Sequence, residues 1–321
     1  MSPSPAAESI DIAITVDDLL IWDGTPIPAG YSRETIVDSM IKTFQKHGLS
    51  GIYGFPHTSP LDQDRGLMSI INHWSKSGHH IANHTHCHAC LNWVSGQFYC
   101  DDIKRAEDHI GHLIEKAPKR FFRYSMDMSG EAEKKRGEVE DFLQANAYEN
   151  APITAWFSDF AWLAPYYRAV EGKDQAALVM LRKSFVDAAL FRLQSDAKTA
   201  RQMFGRDLPL IWLIHATPIA ADMLDDILTA FKGAGVRFIT LEQAMLDPAH
   251  KAMPRVSRKF RNHLQRYAMM QGVEMEEAPP ELFQMILNAA PMPGFESMDI
   301  YEKLLRKLCQ NASGTYQWDW T

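Results

Sequence analysis

Cysteine is scarce in this chain of 321 residues: Cys87, Cys90, Cys100 and Cys309 are the full set. Four thiols over that length make no disulfide scaffold, so the fold has to stand on a hydrophobic core. No uninterrupted apolar run reaches the length of a membrane-spanning helix, which speaks against membrane insertion. Positive charge is not in surplus either, since 33 Lys and Arg face 40 Asp and Glu, for a net charge of -7 and a pI near 6.0. That balance argues against nonspecific binding to nucleic acid or to an anionic membrane, and suits a neutral or weakly charged substrate. The G-x-S-x-G of a serine-hydrolase elbow, the H-E-x-x-H of a zincin and a Gly-rich phosphate loop are all missing. The Ser/Pro/Ala-rich start, residues 1–9, has neither the basic region nor the apolar core of a signal peptide. Two locations stay open: cytoplasmic, or secreted or periplasmic after removal of a signal.

What is present is ordinary globular material, 46% hydrophobic with 11% aromatics, enough for one large domain with an appendage. Short apolar runs read as strands at Asp11–Val16, Gly51–Phe55, His80–Asn83, Arg120–Tyr124, Ala151–Phe157, Pro209–His215 and Val236–Leu241. Amphipathic stretches between them read as helices at Ser32–His47 (with Ser32 as N-cap), Arg65–Ser77, Asp101–Glu115, Gly130–Gln144, Asp174–Gln194 and Pro218–Gly233. Strand–helix alternation over about 240 residues predicts a parallel α/β architecture, an irregular (β/α) barrel of seven or eight strands. Several strand-like runs end in chemical residues: Asp17-Asp18, His57, His84, Arg123, Asp159 and His215. In such a barrel these gather at one face. A break falls near Asp247–His250. Residues 10–250 form the expected domain and 251–321 a helical appendage. It has a basic helix at Arg255–Arg266, further helices at Glu281–Ala289 and Met298–Gln310, and the aromatics Tyr316, Trp318 and Trp320, open to stacking on a sugar or, the simpler expectation, to docking the tail.

Two patterns carry chemistry. His84 and His88 are four residues apart, which on a helical turn would direct two imidazoles at one metal ion. Asp17-Asp18 closes the first apolar run. Adjacent strand residues point to opposite faces, so both acids serve one site only if the backbone bends there. Cys87 and Cys90 form a C-x-x-C inside the histidine cluster. A redox pair or thiolate zinc site is open, but packing as small buried residues is the simpler expectation.

These residues resemble the polysaccharide deacetylase family, the NodB homology domain of carbohydrate esterases. Five motifs in order carry the resemblance, from about residue 10 to 248. Thr15-Val16-Asp17-Asp18 is similar to the family's Thr-Phe-Asp-Asp, and His84-Thr85-His86-Cys87-His88 to His-(Ser/Thr)-x-x-His. Leu213-Ile214-His215 matches Leu-x-His. Two motifs depart from the pattern. Arg123-Tyr124-Ser125-Met126 keeps the arginine of Arg-x-Pro-aromatic but has Ser125 and Met126 for the last two places. Trp156-Phe157-Ser158-Asp159-Phe160 compares with Asp-x-x-Asp-Trp, with Phe160 for tryptophan, or with Trp162 in another register.

The resemblance implies roles. Asp18, His84 and His88 would be the metal ligands, for Zn2+ first, though cobalt or nickel suits such a set. Asp17 would be the general base, kept ionised by the metal and Arg123, and His215 the general acid, with Asp159 either orienting that histidine or pairing with Arg123. Thr85 would anchor the histidine loop through its hydroxyl. Leu213, Met126, Phe160 and Trp162 would line the substrate pocket, and a backbone N–H near Met126 would serve the oxyanion. The implied reaction is metal-dependent N-deacetylation of N-acetylhexosamine in a polysaccharide, peptidoglycan N-acetylglucosamine first. Two alternatives stand beside it: a hydrolase of a small cyclic or linear amide, as in allantoinase-like relatives, and a non-catalytic glycan-binding protein.

Overall fold

The computed structural model describes residues 9–317; Trp318 and Trp320 lie outside them. Seven strands appear among the described residues: β1 (Asp11–Asp17), β2 (Tyr53–Phe55), β3 (His80–Ile81), β4 (Phe121–Phe122), β5 (Glu149–Asn150), β6 (Leu210–His215) and β7 (Arg237–Ile239). All pairings are parallel. β1 is central, with β6 along one edge, and β2 and β7 sharing the other at opposite ends of the strand. β3 extends the sheet beyond β2. β4 and β5 form a separate pair, joined to the rest by isolated bridges from Asn83 to Phe122 and from Ala155 to Trp212. The parallel α/β class is thus as expected, in a more broken form. The run Ala151–Phe157 is mostly irregular rather than a strand, touching β6 only near Ala155.

Alternation along β1 and β6 builds two cores. Ile12, Ile14 and Val16, with Leu210, Trp212 and Ile214, face the large outer core under the helices. Ala13 and Ile211 face a smaller inner core with Tyr53, Phe55 and Phe121. Strand side chains alternate between faces. Thr15 and Asp17 therefore follow Ala13 inward, and Leu213 and His215 follow Ile211. Register then sets Asp17 opposite His215.

The helices are α1 (Arg33–Lys46), α2 (Pro60–Gln63), α3 (Met68–Lys76), α4 (Gly96–Ile114), α5 (Glu133–Ala145), α6 (Leu163–Glu171), α7 (Gln175–Phe204) and α8 (Pro218–Gly233). After β7 come α9 (Leu241–Ala244), α10 (Pro248–Lys251), α11 (His263–Gln271), α12 (Pro280–Leu287) and α13 (Ser297–Asn311). Ser32 caps α1 as expected, its hydroxyl accepting from Thr35 N–H in a capping box. α7 runs ten residues past its expected end, to Gly205 in the left-handed conformation.

The expected basic helix at Arg255–Arg266 is largely irregular; helix begins only at His263, where Asn262 supplies the N-cap. The C-terminal segment is stitched firmly to the rest. Buried Arg168 on α6 donates to the carbonyls of Leu287 (2.7 Å) and Phe295 (2.9 Å), to those of Ala289 and Ala290, and to Ser297 Oγ at 2.7 Å. Tyr301 Oη donates to Ala161 O. Tyr316 packs on Trp93 and beneath Arg306, so at this aromatic the tail docks as expected.

Candidate active site

Asp17 and Asp18 reach one site because the chain turns between them. Asp17 ends β1 in the inner core, and Asp18 takes φ 55, a left-handed conformation that swings its carboxylate back over the strand end. Its N–H remains tied to Phe55 O at 3.0 Å. Asp18 Oδ1 meets His57 Nδ1 at 2.9 Å. Asp18 Oδ2 has no hydrogen-bond partner, and faces His88 Nε2 at 3.6 Å and His215 Nε2 at 3.9 Å. Burial alone would raise this carboxyl, but His88 and His57 outweigh it and hold it well below the usual carboxylate range.

The His84–His88 segment is not the helical turn its spacing suggests. It is a bent loop with Thr85 and His88 at positive φ. Its backbone N–H groups are taken by side chains instead of by helix carbonyls. Asn83 Oδ1 accepts from Thr85 N–H, and the Asp102 carboxylate from His86 and Cys87 N–H. Thr85 thus anchors the loop through its backbone amide. The arrangement still converges both imidazoles. His84 Nδ1 pairs with the Arg123 carbonyl at 3.0 Å, which leaves Nε2 as the free donor atom. Burial pushes His84 down to about 4 and His88 to about 3, so both are neutral imidazoles at pH 7.

The donor atoms of Asp18, His84 and His88 lie within 4.8 Å of one another. One carboxylate and two neutral imidazoles, with an unsatisfied buried carboxylate oxygen among them, fit a divalent transition metal and leave coordination positions open.

Asp17 flanks this set on one side. Its Oδ1 accepts from Arg123 Nη1 at 2.7 Å, and its Oδ2 lies 3.7 Å from His84 Nε2. Burial raises its pKa against the pull of Arg123, which makes the carboxylate a better proton acceptor. Arg123 is fully buried, stacked on Phe55 and bonded to Thr15 Oγ1 and Ala151 O. His215 flanks the other side. Asp159 Oδ1 takes its Nδ1 at 2.8 Å, and Asp159 Oδ2 accepts from its backbone N–H at 2.7 Å. Burial opposes charge on this imidazole, but Asp159 outweighs it and lifts the pKa to about 9. Trp156, which stands where the resembling motif has its first aspartate, donates Nε1–H to Asp159 Oδ1 at 2.7 Å.

Above these groups opens a cavity of about 1220 Å³. Leu213, Met126 and Phe160 line it as expected, with Met126 in a left-handed conformation on its wall. Trp162 does not. It is buried against Phe157 and Phe185, with its indole N–H on Ser184 Oγ. The register pairing Asp159 with Phe160 is therefore the one that reaches the cavity. A large part of the wall comes from the C-terminal segment, including Phe283, Leu287, Met298 and Leu305.

Two further residues escape the motif reading. His57 ends a strand-like run, yet no motif gives it a task; its bond to Asp18 orients the carboxylate. Asp102 is 14 residues beyond the loop it anchors, and nothing local marks it. His86 is buried and locally bonded, with Thr58 Oγ1 on its Nδ1, and forms a peripheral cluster with His109 and Asp62, where Arg105 also pairs with Asp62. The four cysteines are free and buried, and burial pushes the Cys87 and Cys90 thiols up to about 12, as small packing residues rather than reactive ones.

Comparison with known proteins bears out the family resemblance. Residues 6–131 match the model of the polysaccharide deacetylase family. Among solved structures, a mutant of BA3943, described as a family 4 carbohydrate esterase pseudoenzyme, is similar over 76% of this chain and 72% of its own, at 12% identity and a TM-score of 0.51. The wild-type BA3943 from Bacillus anthracis is similar over 76% and 70%, at 12% identity and a TM-score of 0.50. Bacillus subtilis PdaA, a family 4 carbohydrate esterase, overlaps over 75% and 82%, at 17% identity and a TM-score of 0.47. No curated protein matches the chain in sequence. Among the described residues, no helix is long and apolar enough to cross a membrane.

Proposed function

We propose that this chain, which carries the polysaccharide deacetylase family pattern in its residues 6–131, hydrolyses the carbon–nitrogen bond of an amide with the help of a divalent metal ion. One observation carries the reading: Asp18, His84 and His88 converge between a buried carboxylate on one side and a charged imidazole on the other. Zinc is the metal that such a donor set suits first. Lewis acidity toward the amide carbonyl and toward water is the chemistry such an ion supplies when bound.

The residues of the chain do the proton work. Asp17 accepts a proton from the attacking water, and Arg123 holds that carboxylate by Oδ1 so that Oδ2 faces the site. His215 enters the reaction protonated and delivers its Nε2 proton to the leaving nitrogen, since an amine leaves poorly unless protonated. Asp159 stabilises that imidazolium and fixes its tautomer by taking Nδ1–H.

Family likeness alone would make the acyl group acetyl and the carrier peptidoglycan N-acetylglucosamine, a substrate that would place the protein in the periplasm or outside the cell. A second reading, a compact amide, is favoured by the cavity, because its walls are mainly apolar and extend into the C-terminal segment. Both readings share the reaction. The test is amine release from N-methyltrifluoroacetamide and from N-acetylglucosamine oligomers, with and without a chelator, and in Asp17→Asn. Loss of the base should cost about 10²–10⁴ in rate. Full activity in Asp17→Asn, or in chelated protein, would sink the proposal.

A further inference from the structure

Resting on the amide-hydrolase reading, we infer that the substrate is a compact amide with an apolar body, held beneath the C-terminal helices. The groups placed for the reaction, Asp17, His84, His88 and His215, lie together at the floor of the cavity. Immediately above it stand Trp22 and Phe160, stacked at 4.9 Å. Trp22 packs on His88 at 5.0 Å, and Phe160 meets His215 edge-on at 4.5 Å. This aromatic pair spans from the metal-ligand side to the acid side. Farther out, Phe283 and Leu287 of α12 and Met298 and Leu305 of α13 continue the apolar lining.

Gln284 of α12 and Asn288 just after it add two polar side chains to that outer wall, but most of its other polar groups are committed elsewhere: Asn262 caps α11, and Glu296 accepts from Gly294 N–H. Arg168 is spent on backbone carbonyls and Ser297, and Ser297 in turn donates to Leu287 O. Asp127 accepts from His263 N–H. A sugar chain laid here would bring many hydroxyls against carbon. Each one stripped of water without a partner weakens binding by about ten- to hundredfold. An alkyl or aryl body meets the opposite balance and gains affinity with every carbon it buries. The cavity volume of about 1220 Å³ exceeds what an acetamide group needs and accommodates a drug-sized body beside it.

The experiment is a homologous series of N-acetyl-n-alkylamines, from ethyl to octyl, compared with N-acetylchitotriose and followed by amine release from the metal-loaded protein. The expected result is a rise in kcat/KM of about fourfold per methylene until the cavity is filled, with chitotriose below the hexyl compound. A flat series, or chitotriose as the better substrate, overturns the inference. Phe283→Asp combined with Met298→Asp should flatten the series. Both side chains are partly exposed, so the fold tolerates the change; an unaltered slope also overturns it. If no compound turns over while metal binds, the hydrolase reading fails by itself. Calorimetric binding of the same series then decides the substrate class: a fourfold step per methylene in Kd upholds the apolar body and a flat Kd refutes it.

Discussion

Replacing Asp159 by asparagine should move the alkaline limit of activity by more than two pH units. Asp159 is the partner that lifts His215 to about 9 against the opposing effect of burial. Without its charge, burial is left as the largest influence, and the imidazole should fall to the ordinary value near 6.5 or below. At pH 8 a group with a pKa of 9 is about 90% protonated, and one at 6.5 about 3%, so the acid-competent fraction falls about thirtyfold. The two proteins should converge once pH falls below the variant's own imidazole pKa, because both imidazoles are then protonated. The sign is fixed: the variant loses activity as pH rises, not as it falls. The assay is a pH profile of amine release for both proteins, with the His215 titration followed by NMR. The substitution has a structural side as well, because Asp159 Oδ2 accepts from His215 N–H at 2.7 Å. An amide nitrogen there would leave that N–H unsatisfied, at about 1–3 kcal/mol, visible as a lower denaturation midpoint. That loss is independent of pH between 6 and 8, so it cannot imitate a moved limb. An alkaline limb still near pH 9 in Asp159→Asn refutes the reasoning.

Two other substitutions probe what holds the site. Arg123→Met should cost about 3–5 kcal/mol of stability, because it strands the buried Asp17 carboxylate; urea denaturation reads this, and a loss below 1 kcal/mol would show the pair to be dispensable. Arg168→Ala should release the segment from Leu287 to Ser297 while leaving metal binding intact. Limited proteolysis should then cut within residues 270–300 at least tenfold faster, and an unchanged cleavage rate would count against Arg168 as the tether.

Much of the site was legible because strand parity is legible. Thr15 and Asp17 are two positions apart, as are Leu213 and His215, so each pair shares a face, and the parallel register makes that face the same one. The same reasoning saw that Asp18 needs a bend. The helical reading of His84–His88 failed because spacing reports which side chains can converge and not how the backbone brings them together. Here Asn83 and Asp102 capture the amide hydrogens that a helix would have used. Trp162 was indistinguishable from Phe160 as a wall residue until α7 packed over it. The cover over the cavity was not legible at all. Helices α12 and α13 follow their periodicity closely, but where they dock depends on Arg168, more than a hundred residues away.

That docking divides the chain's labour by position. Every proposed metal ligand and proton carrier lies between Asp17 and His215, whereas α12 and α13 supply much of the outer wall. The reactive centre and much of the wall that bounds its substrate are therefore drawn from separate stretches of the chain. Changes confined to residues 280–305 can exchange one substrate for another while the proton transfers stay as they are.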